Sequence, residues 1–187
     1  MQRLGQEGLA VFEHSGLPRA VVADLRTDHA GETGAVWMYH GVLFFARDEA
    51  LREFAQRHRV TEQAHLRRIE TWLPPADRSR LLPVWRLAGW LTGAMPAMLG
   101  PKAVYATIEA VERFVDQHYA DQISRLRARP DLNLLRQALI ECQADELAHR
   151  DEAAAARGLQ PAGWLQRSLG QLVHIGSQAA VAVCRHV

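Results

Sequence analysis

The chain has two cysteines, one lysine and no long uninterrupted apolar run. Cys142 and Cys184 offer neither a disulfide framework nor a zinc-ligand spacing, and a reducing compartment suits them. Cys142 falls one turn before Glu146, and the role expected of it is a small buried thiol lining the core. Lys102 is the lone lysine, so 22 − 1 = 21 of the basic residues are arginines. Against 21 acidic residues they leave a net charge of +1 with no basic block, which argues against a nucleic-acid partner. No GxGxxG fingerprint is present, so no dinucleotide-binding fold is expected. The N-terminus has no apolar signal-type segment, and Glu7, Glu13 and Asp24 are out of place in an organelle transit peptide. At 187 residues the expectation is one domain with a full core.

What the chain does have is an ordered repeat of glutamate and histidine. Glu62-x-x-His65 and Glu146-x-x-His149 share one spacing, and residues three apart lie on one helix face, so each pair aims a carboxylate and an imidazole at one point. A lone glutamate precedes each pair, Glu32 by 62 − 32 = 30 residues and Glu112 by 146 − 112 = 34. That separation lets a chain run down one helix, turn and return alongside. One such pair alone is a weak signal; two in ordered repetition, each with its upstream glutamate, are far more specific. Four helices carrying this set can hold two iron or manganese ions in a bundle core.

Apolar periodicity supplies those helices. Residues 1–17 show no strong period and read as a short arm. Pro18 opens a first helix whose stripe runs Leu25, Asp28, Glu32, Ala35, Val36, Tyr39, Val42 and Leu43. A charge in a buried stripe has to be paired or metal-bound, which marks Glu32. Asp28, one turn earlier, reads either as an acceptor for the outer N–H of a ligand histidine or as a helix-start carboxylate. His29 is a rival ligand without a counterpart in the repeat. Gly31 and Gly34 weaken this helix, and close backbone packing is one reason to keep them. A second helix starts near Asp48 and ends before Pro74-Pro75, with Leu51, Phe54, Ala55, His58, Glu62, His65, Leu66, Ile69 and Leu73 in its stripe; His58 is expected to be partly exposed. Pro101 restarts a helix bearing Glu112 and, two turns on, Tyr119, either a substrate contact or a core tyrosine. Pro130 ends it. The next helix carries Cys142, Glu146 and His149, with Asp145 placed to orient a ligand, and stops at Gly158. Residues 161–187 form an accessory helix.

Residues 81–100, LLPVWRLAGWLTGAMPAMLG, stand apart as an apolar segment interrupted by Pro83, Gly89, Gly93 and Pro96 and charged only at Arg86. Their interruptions favour an interfacial or re-entrant connector over a spanning helix, with Trp85 and Trp90 at headgroup depth and Arg86 snorkelling. The other reading is a buried connector between two bundle halves. The expected organisation is thus a single all-α four-helix bundle over about 18–157, with a membrane-facing crossover at 81–100.

The stretches LRTDHAGETGA around Glu32, TEQAHL around Glu62 and His65, AVYATIEAVERFVDQHYADQI around Glu112, and QADELAHRDEA around Glu146 and His149 resemble the demethoxyubiquinone hydroxylase family of ubiquinone biosynthesis, in order from about residue 20 to the end. The resemblance implies a ferritin-like di-iron monooxygenase, peripheral on membranes, that hydroxylates a polyprenyl methoxy-benzoquinol. It implies Glu32, Glu62, His65, Glu112, Glu146 and His149 as metal ligands, and His118-Tyr119 as the family's His-Tyr pair associated with substrate reduction and electron transfer. The chain departs from the family at Thr33-Gly34 and in 81–100.

Four carboxylates and two imidazoles suit two Fe(II) ions, whose charge the carboxylates neutralise. With O2 as co-substrate, hydroxylation needs two further electrons, from NADH or another reductant, and the expected route is through the quinone itself. The expected partners are a polyprenyl quinone, a membrane surface (the cytoplasmic face of the inner membrane, for a bacterial chain), and other ubiquinone-biosynthesis proteins or further copies of the chain. Two rivals stay open: a ferroxidase or iron-storage protein, and a quinone-binding scaffold, which would not need all six ligands. A hydroxylase of modified tRNA is disfavoured by the missing basic patch.

Overall fold

The described residues form six α-helices: α1 (Arg19–Phe45), α2 (Glu49–Glu70), α3 (Leu82–Leu99), α4 (Pro101–Leu126), α5 (Asn133–Arg157) and α6 (Trp164–Cys184). The computed structural model describes residues 16–158 and 164–187, with only the backbone described at 164–170 and 172–174. Most of the arm expected at 1–17 therefore lies outside the described residues, as do Pro161 and the apolar side chains expected on α6 at Trp164, Leu165, Leu169, Leu172 and Val173. No strand occurs among the described residues.

The helix ends follow local chemistry. Asp48 caps α2 by accepting from the Leu51 N–H, and Arg67 and Arg68 sit in its last turn, where cations favour the helix dipole. Gly100 (φ 107°) turns the chain before Pro101, and Gly158 (φ 82°) ends α5 in backbone conformations that side chains disfavour.

Two apolar layers fix the topology. One gathers Met38, Tyr39, Val42, Leu51, Phe54, Val104, Tyr105, Ile108 and Ala153; the other Leu25, Ile69, Leu73, Tyr119, Ile123, Leu126, Leu135, Leu139 and Cys142. The helices α1 and α5 run from the second layer to the first, and α2 and α4 run the opposite way. Consecutive α2 and α4 are thus parallel, as in ferritin-like bundles, and the chain has to travel back the length of the bundle between them. That return is α3, whose 18 residues span about 27 Å.

The connector is therefore one continuous helix rather than a broken or re-entrant segment. Pro83 occupies its first turn, where a missing N–H costs nothing, and only Pro96 lies inside it. Gly89 and Gly93 do not break α3; they let it touch α1. A Cβ at Gly89 would strike the Gly34 backbone, one at Gly93 the Met38 backbone, and one at Gly41 on α1 the Trp90 backbone. The face turned away from α1 carries Val84, Leu87, Leu91, Met95 and Met98, all exposed. Trp85 and Trp90 are half-buried instead: the Trp85 indole N–H donates to Ser79 Oγ, and Trp90 packs edge-on against Phe44. The exposed apolar face is thus aliphatic and Met-rich. No helix among the described residues is long and apolar enough to cross a membrane.

Candidate metal centre

Between the two apolar layers, the four bundle helices bring Glu32, Glu62, His65, Glu112, Glu146 and His149 to one place, none more than 6 % exposed. Each imidazole reaches across to the glutamate of the other pair. His65 Nδ1 lies 3.0 Å from Glu146 Oε1 and 3.7 Å from both Glu32 Oε2 and Glu62 Oε2; His149 Nδ1 lies 3.1 Å from Glu62 Oε1 and 3.6 Å from Glu146 Oε2. Two sets result, Glu32–Glu62–His65–Glu146 and Glu62–Glu112–Glu146–His149, each with donor atoms within 4.8 Å of one another. Glu62 and Glu146 belong to both sets, the placement of bridging carboxylates, while Glu32 and Glu112 flank them as the sequence repeat requires.

Burial, with the charges of Glu146 and Glu62, pushes the Glu32 and Glu112 carboxyls well above their ordinary range. Burial opposes charge on the imidazoles, but the adjacent Glu146 and Glu62 carboxylates outweigh it, raising His149 to about 9 and His65 well above the usual imidazole range. Burial works against an ionised Glu146 as well, and the neighbouring His149 and His65 imidazoles overcome it and keep its carboxyl low. Protons satisfy the site incompletely: Glu32 Oε2, Glu62 Oε1, Glu112 Oε1, Glu146 Oε2 and His149 Nδ1 are buried with no aligned hydrogen-bond partner. Buried orphans of this kind are rare in folded proteins. Hard or borderline divalent ions would satisfy all five, so the residues fit the metal pair that the spacing suggested.

Outer partners aim the ligands. His65 Nε2 lies 3.0 Å from Asp145 Oδ2, which turns Nδ1 inward, the orienting role expected of Asp145. The Tyr119 hydroxyl donates to Glu32 Oε1 at 2.5 Å. Tyr119 and His118 also line a 380 Å³ cavity that reaches Glu32, Glu62, Glu112 and Glu146 and is otherwise mostly apolar.

The chain matches the family described as Ubiquinone biosynthesis protein COQ7 over residues 19–184, nearly its whole length. It belongs to that family. A relative in Rhodospirillum rubrum, named 3-demethoxyubiquinol 3-hydroxylase, is 38 % identical over 133 residues, 68 % of this chain and 60 % of the relative. A protein of the same name in Acinetobacter baumannii is 31 % identical over 76 % of this chain and 67 % of its own length. In Dictyostelium discoideum the NADPH-dependent 3-demethoxyubiquinone 3-hydroxylase, mitochondrial, is 30 % identical over 92 % of this chain and 81 % of the relative. The match to the bacterial relatives thus spans about two thirds of their length or slightly less.

Within this COQ7-family fold, several residues sit differently from the sequence reading. Asp28 meets no ligand histidine. Its Oδ1 accepts from Gln122 Nε2 at 2.5 Å and lies 3.2 Å from His118 Nε2, because the face one turn before Glu32 looks at α4 rather than α2 or α5. His29 points away from the cluster to Glu70, 3.3 Å away. His58 is 3 % exposed, not partly exposed: its ring stands edge-on to His149 with centroids 4.0 Å apart, and Nε2 lies 3.0 Å from Glu152 Oε2. Burial and the neighbouring His149 charge lower its pKa to about 4. Tyr39, read only as a stripe residue, is fully buried, and burial with the Glu112 charge drives its phenol well above the ordinary range. Both His58 and Tyr39 fall on the apolar stripes of their helices, and that placement was the available signal for their burial.

Proposed function

We propose that the protein is an O2-dependent di-iron monooxygenase that hydroxylates the ring of a demethoxyubiquinol-type polyprenyl methoxy-benzoquinol in ubiquinone biosynthesis. The observation that carries this reading is continuity: four glutamates of the cluster are also walls of the apolar cavity. A ring in that cavity reaches the metal ligands without crossing water, whereas a ferroxidase needs a polar path for hydrated ions. The names of the relatives point the same way.

The six ligands would hold the ions in the two overlapping sets, and a pair of ferrous ions supplies the electrons that activate O2. The net change is ring C–H plus O2, two electrons and two protons, giving ring C–OH and water. The chain's own residues then do the positioning. Tyr119 holds Glu32 through its hydroxyl while standing in the cavity wall beside the ring. His118 Nε2 is taken up by Thr27, Asp28 and Gln122, at 3.0, 3.2 and 2.8 Å, which leaves Nδ1 for a quinol oxygen. The apolar walls exclude bulk water, which strengthens every polar contact inside. NADH or a related donor would deliver its electrons by way of the bound quinone.

The exposed stripe of α3 gives the substrate its approach. Leu91 and Met95 belong both to that stripe and to the cavity wall, so the cavity opens where the surface is most apolar. Resting on a bilayer by this stripe, as a peripheral protein of the inner membrane, the protein would draw the prenyl tail in from the lipid. The test is a reduced, iron-loaded preparation given a short-tailed 6-methoxy-3-methyl-benzoquinol under ¹⁸O2. One ¹⁸O in the ring product is expected. Rapid O2 consumption with Fe(III) accumulation and no ring product would replace this reading with ferroxidase chemistry.

A further inference from the structure

Glycine inside a helix weakens it relative to alanine, so each one needs a local reason. The pairing of α1 with α3 accounts for Gly41, Gly89 and Gly93, where a Cβ would strike the opposite backbone, while one at Gly34 would stand 3.8 Å from the Trp85 carbonyl oxygen, an ordinary contact. It does not account for Gly31 on α1 or Gly176 on α6. Neither has a positive φ, and a Cβ at either would meet nothing within 4 Å. Both are exposed, and both line the 380 Å³ cavity, although 176 − 31 = 145 residues separate them. Exposed residues that line a cavity stand at its rim. Asp28 lines the same cavity with its side chain fully buried, and while Oδ1 accepts from Gln122, Oδ2 has no hydrogen-bond partner among the described residues.

We propose that Gly31 and Gly176 form an aperture at the cavity mouth, whose missing side chains set the width of the ring and branched tail that can enter. This rests on the quinol-hydroxylase reading for the identity of the ligand, but not for the aperture itself. Side chains at these positions strengthen the helices and narrow the entrance, so stability and ligand entry move in opposite directions.

The experiment uses the iron-loaded full chain and follows its tryptophan fluorescence as ligand is added. The probes are a methoxy-methyl-benzoquinone bearing one prenyl unit and the straight-chain alcohol 1-decanol. The variants are Gly31→Ala, Gly31→Leu, Gly176→Ala and Gly176→Leu, with Ala182→Leu as control, an exposed α6 position outside the cavity lining. The alanine variants should melt about 1–4 °C higher and bind the quinone two- to threefold more weakly, a loss that misfolding cannot explain. The leucine variants should lose at least tenfold in quinone affinity while keeping wild-type iron content and decanol binding within threefold. Ala182→Leu should change neither. Wild-type quinone affinity in the leucine variants overturns the aperture, and so does an equal loss for both probes. If the wild type binds no quinone, the substrate reading falls instead. The aperture is then judged on the flat tricyclic 1-aminoanthracene: the same tenfold loss supports it, and no loss overturns it.

Discussion

Replacing Gly93 by alanine sets two effects of opposite sign against each other. By helix propensity alone the change stabilises α3 by about 1 kcal/mol. The structure reverses the sign. A Cβ at Gly93 would overlap the Met38 carbonyl oxygen and stand 2.8 Å from the Met38 carbonyl carbon and 3.0 Å from the Val42 nitrogen. The tightest contact, to the Met38 carbonyl oxygen, has to open to at least about 3.0 Å, so α3 and α1 have to part by about 1.1 Å or more, and these are backbone atoms that cannot rotate aside. Overpacking of this kind costs roughly 2–3 kcal/mol, which leaves a net loss of about 1–2 kcal/mol after the propensity gain. For a 187-residue chain that lowers Tm by about 2–8 °C. Gly31→Ala is the matched control: the same substitution, also mid-helix, with nothing within 4 Å of the new Cβ, and a rise of about 1–4 °C expected. Thermal unfolding followed by far-ultraviolet circular dichroism reads both. If Gly93→Ala melts higher than wild type, the close approach of α1 and α3 is not what keeps glycine there, and the account of the connector fails.

Glu112→Ala removes a donor from one set and leaves the other intact, so iron per chain, by plasma emission spectrometry, should fall from about two to about one, with hydroxylation lost; a fully loaded, active variant would remove Glu112 from the centre. Asp145→Ala frees His65 Nε2 and should weaken iron binding by about 10–100-fold in a chelator competition, with little change in Tm. Burial pushes the Cys142 thiol up to about 12, so Ellman's reagent at pH 8 should leave it untouched in the folded protein and label it only on unfolding; rapid native labelling would contradict its burial. Changing Leu87, Leu91 and Met98 together to serine should reduce liposome sedimentation at least severalfold without altering iron content; unchanged sedimentation would give the α3 stripe to another partner.

The candidate metal centre was legible in the sequence because its residues are misfits. Glu32, Glu62, Glu112 and Glu146 occupy positions where helical periodicity calls for apolar side chains, and a buried carboxylate has to be answered by something. The same rule, applied evenly, would have buried His58, which sits in one stripe with Leu51, Phe54, Ala55 and Glu62. Reading it as partly exposed set residue type above position. The partner of Asp28 was not legible in the same way. Periodicity says which face a residue occupies, but whether that face looks at α4 or at α5 depends on the rotation of α1 in the bundle. That the segment at 82–99 is one unbroken helix rather than re-entrant was not legible for a related reason. Gly89 and Gly93 resemble breaks in a single segment and become contact points only against Gly34 and Met38, 89 − 34 = 93 − 38 = 55 residues earlier.

That contact also explains why an exposed apolar stripe lies beside the cavity. The six candidate ligands come from helices arranged so that α2 and α4 run parallel, and parallel helices cannot be joined by a tight turn. The crossover has to cover the length of the bundle, and a segment of about 27 Å satisfies its own backbone hydrogen bonds most simply as a helix. Such a helix lies outside a four-helix core that is already closed, so it can bury one face only. Here that face is the glycine-lined one against α1, the helix bearing Glu32, which makes α3 both an outer layer and a wall of the chamber leading to the metal ligands. A polar outer face would have kept the crossover soluble at no cost to the bundle. Its apolar residues at 84, 87, 91, 95 and 98 are therefore not required by the fold, and they suit the proposed entry of an apolar tail, since Leu91 and Met95 among them also line the cavity.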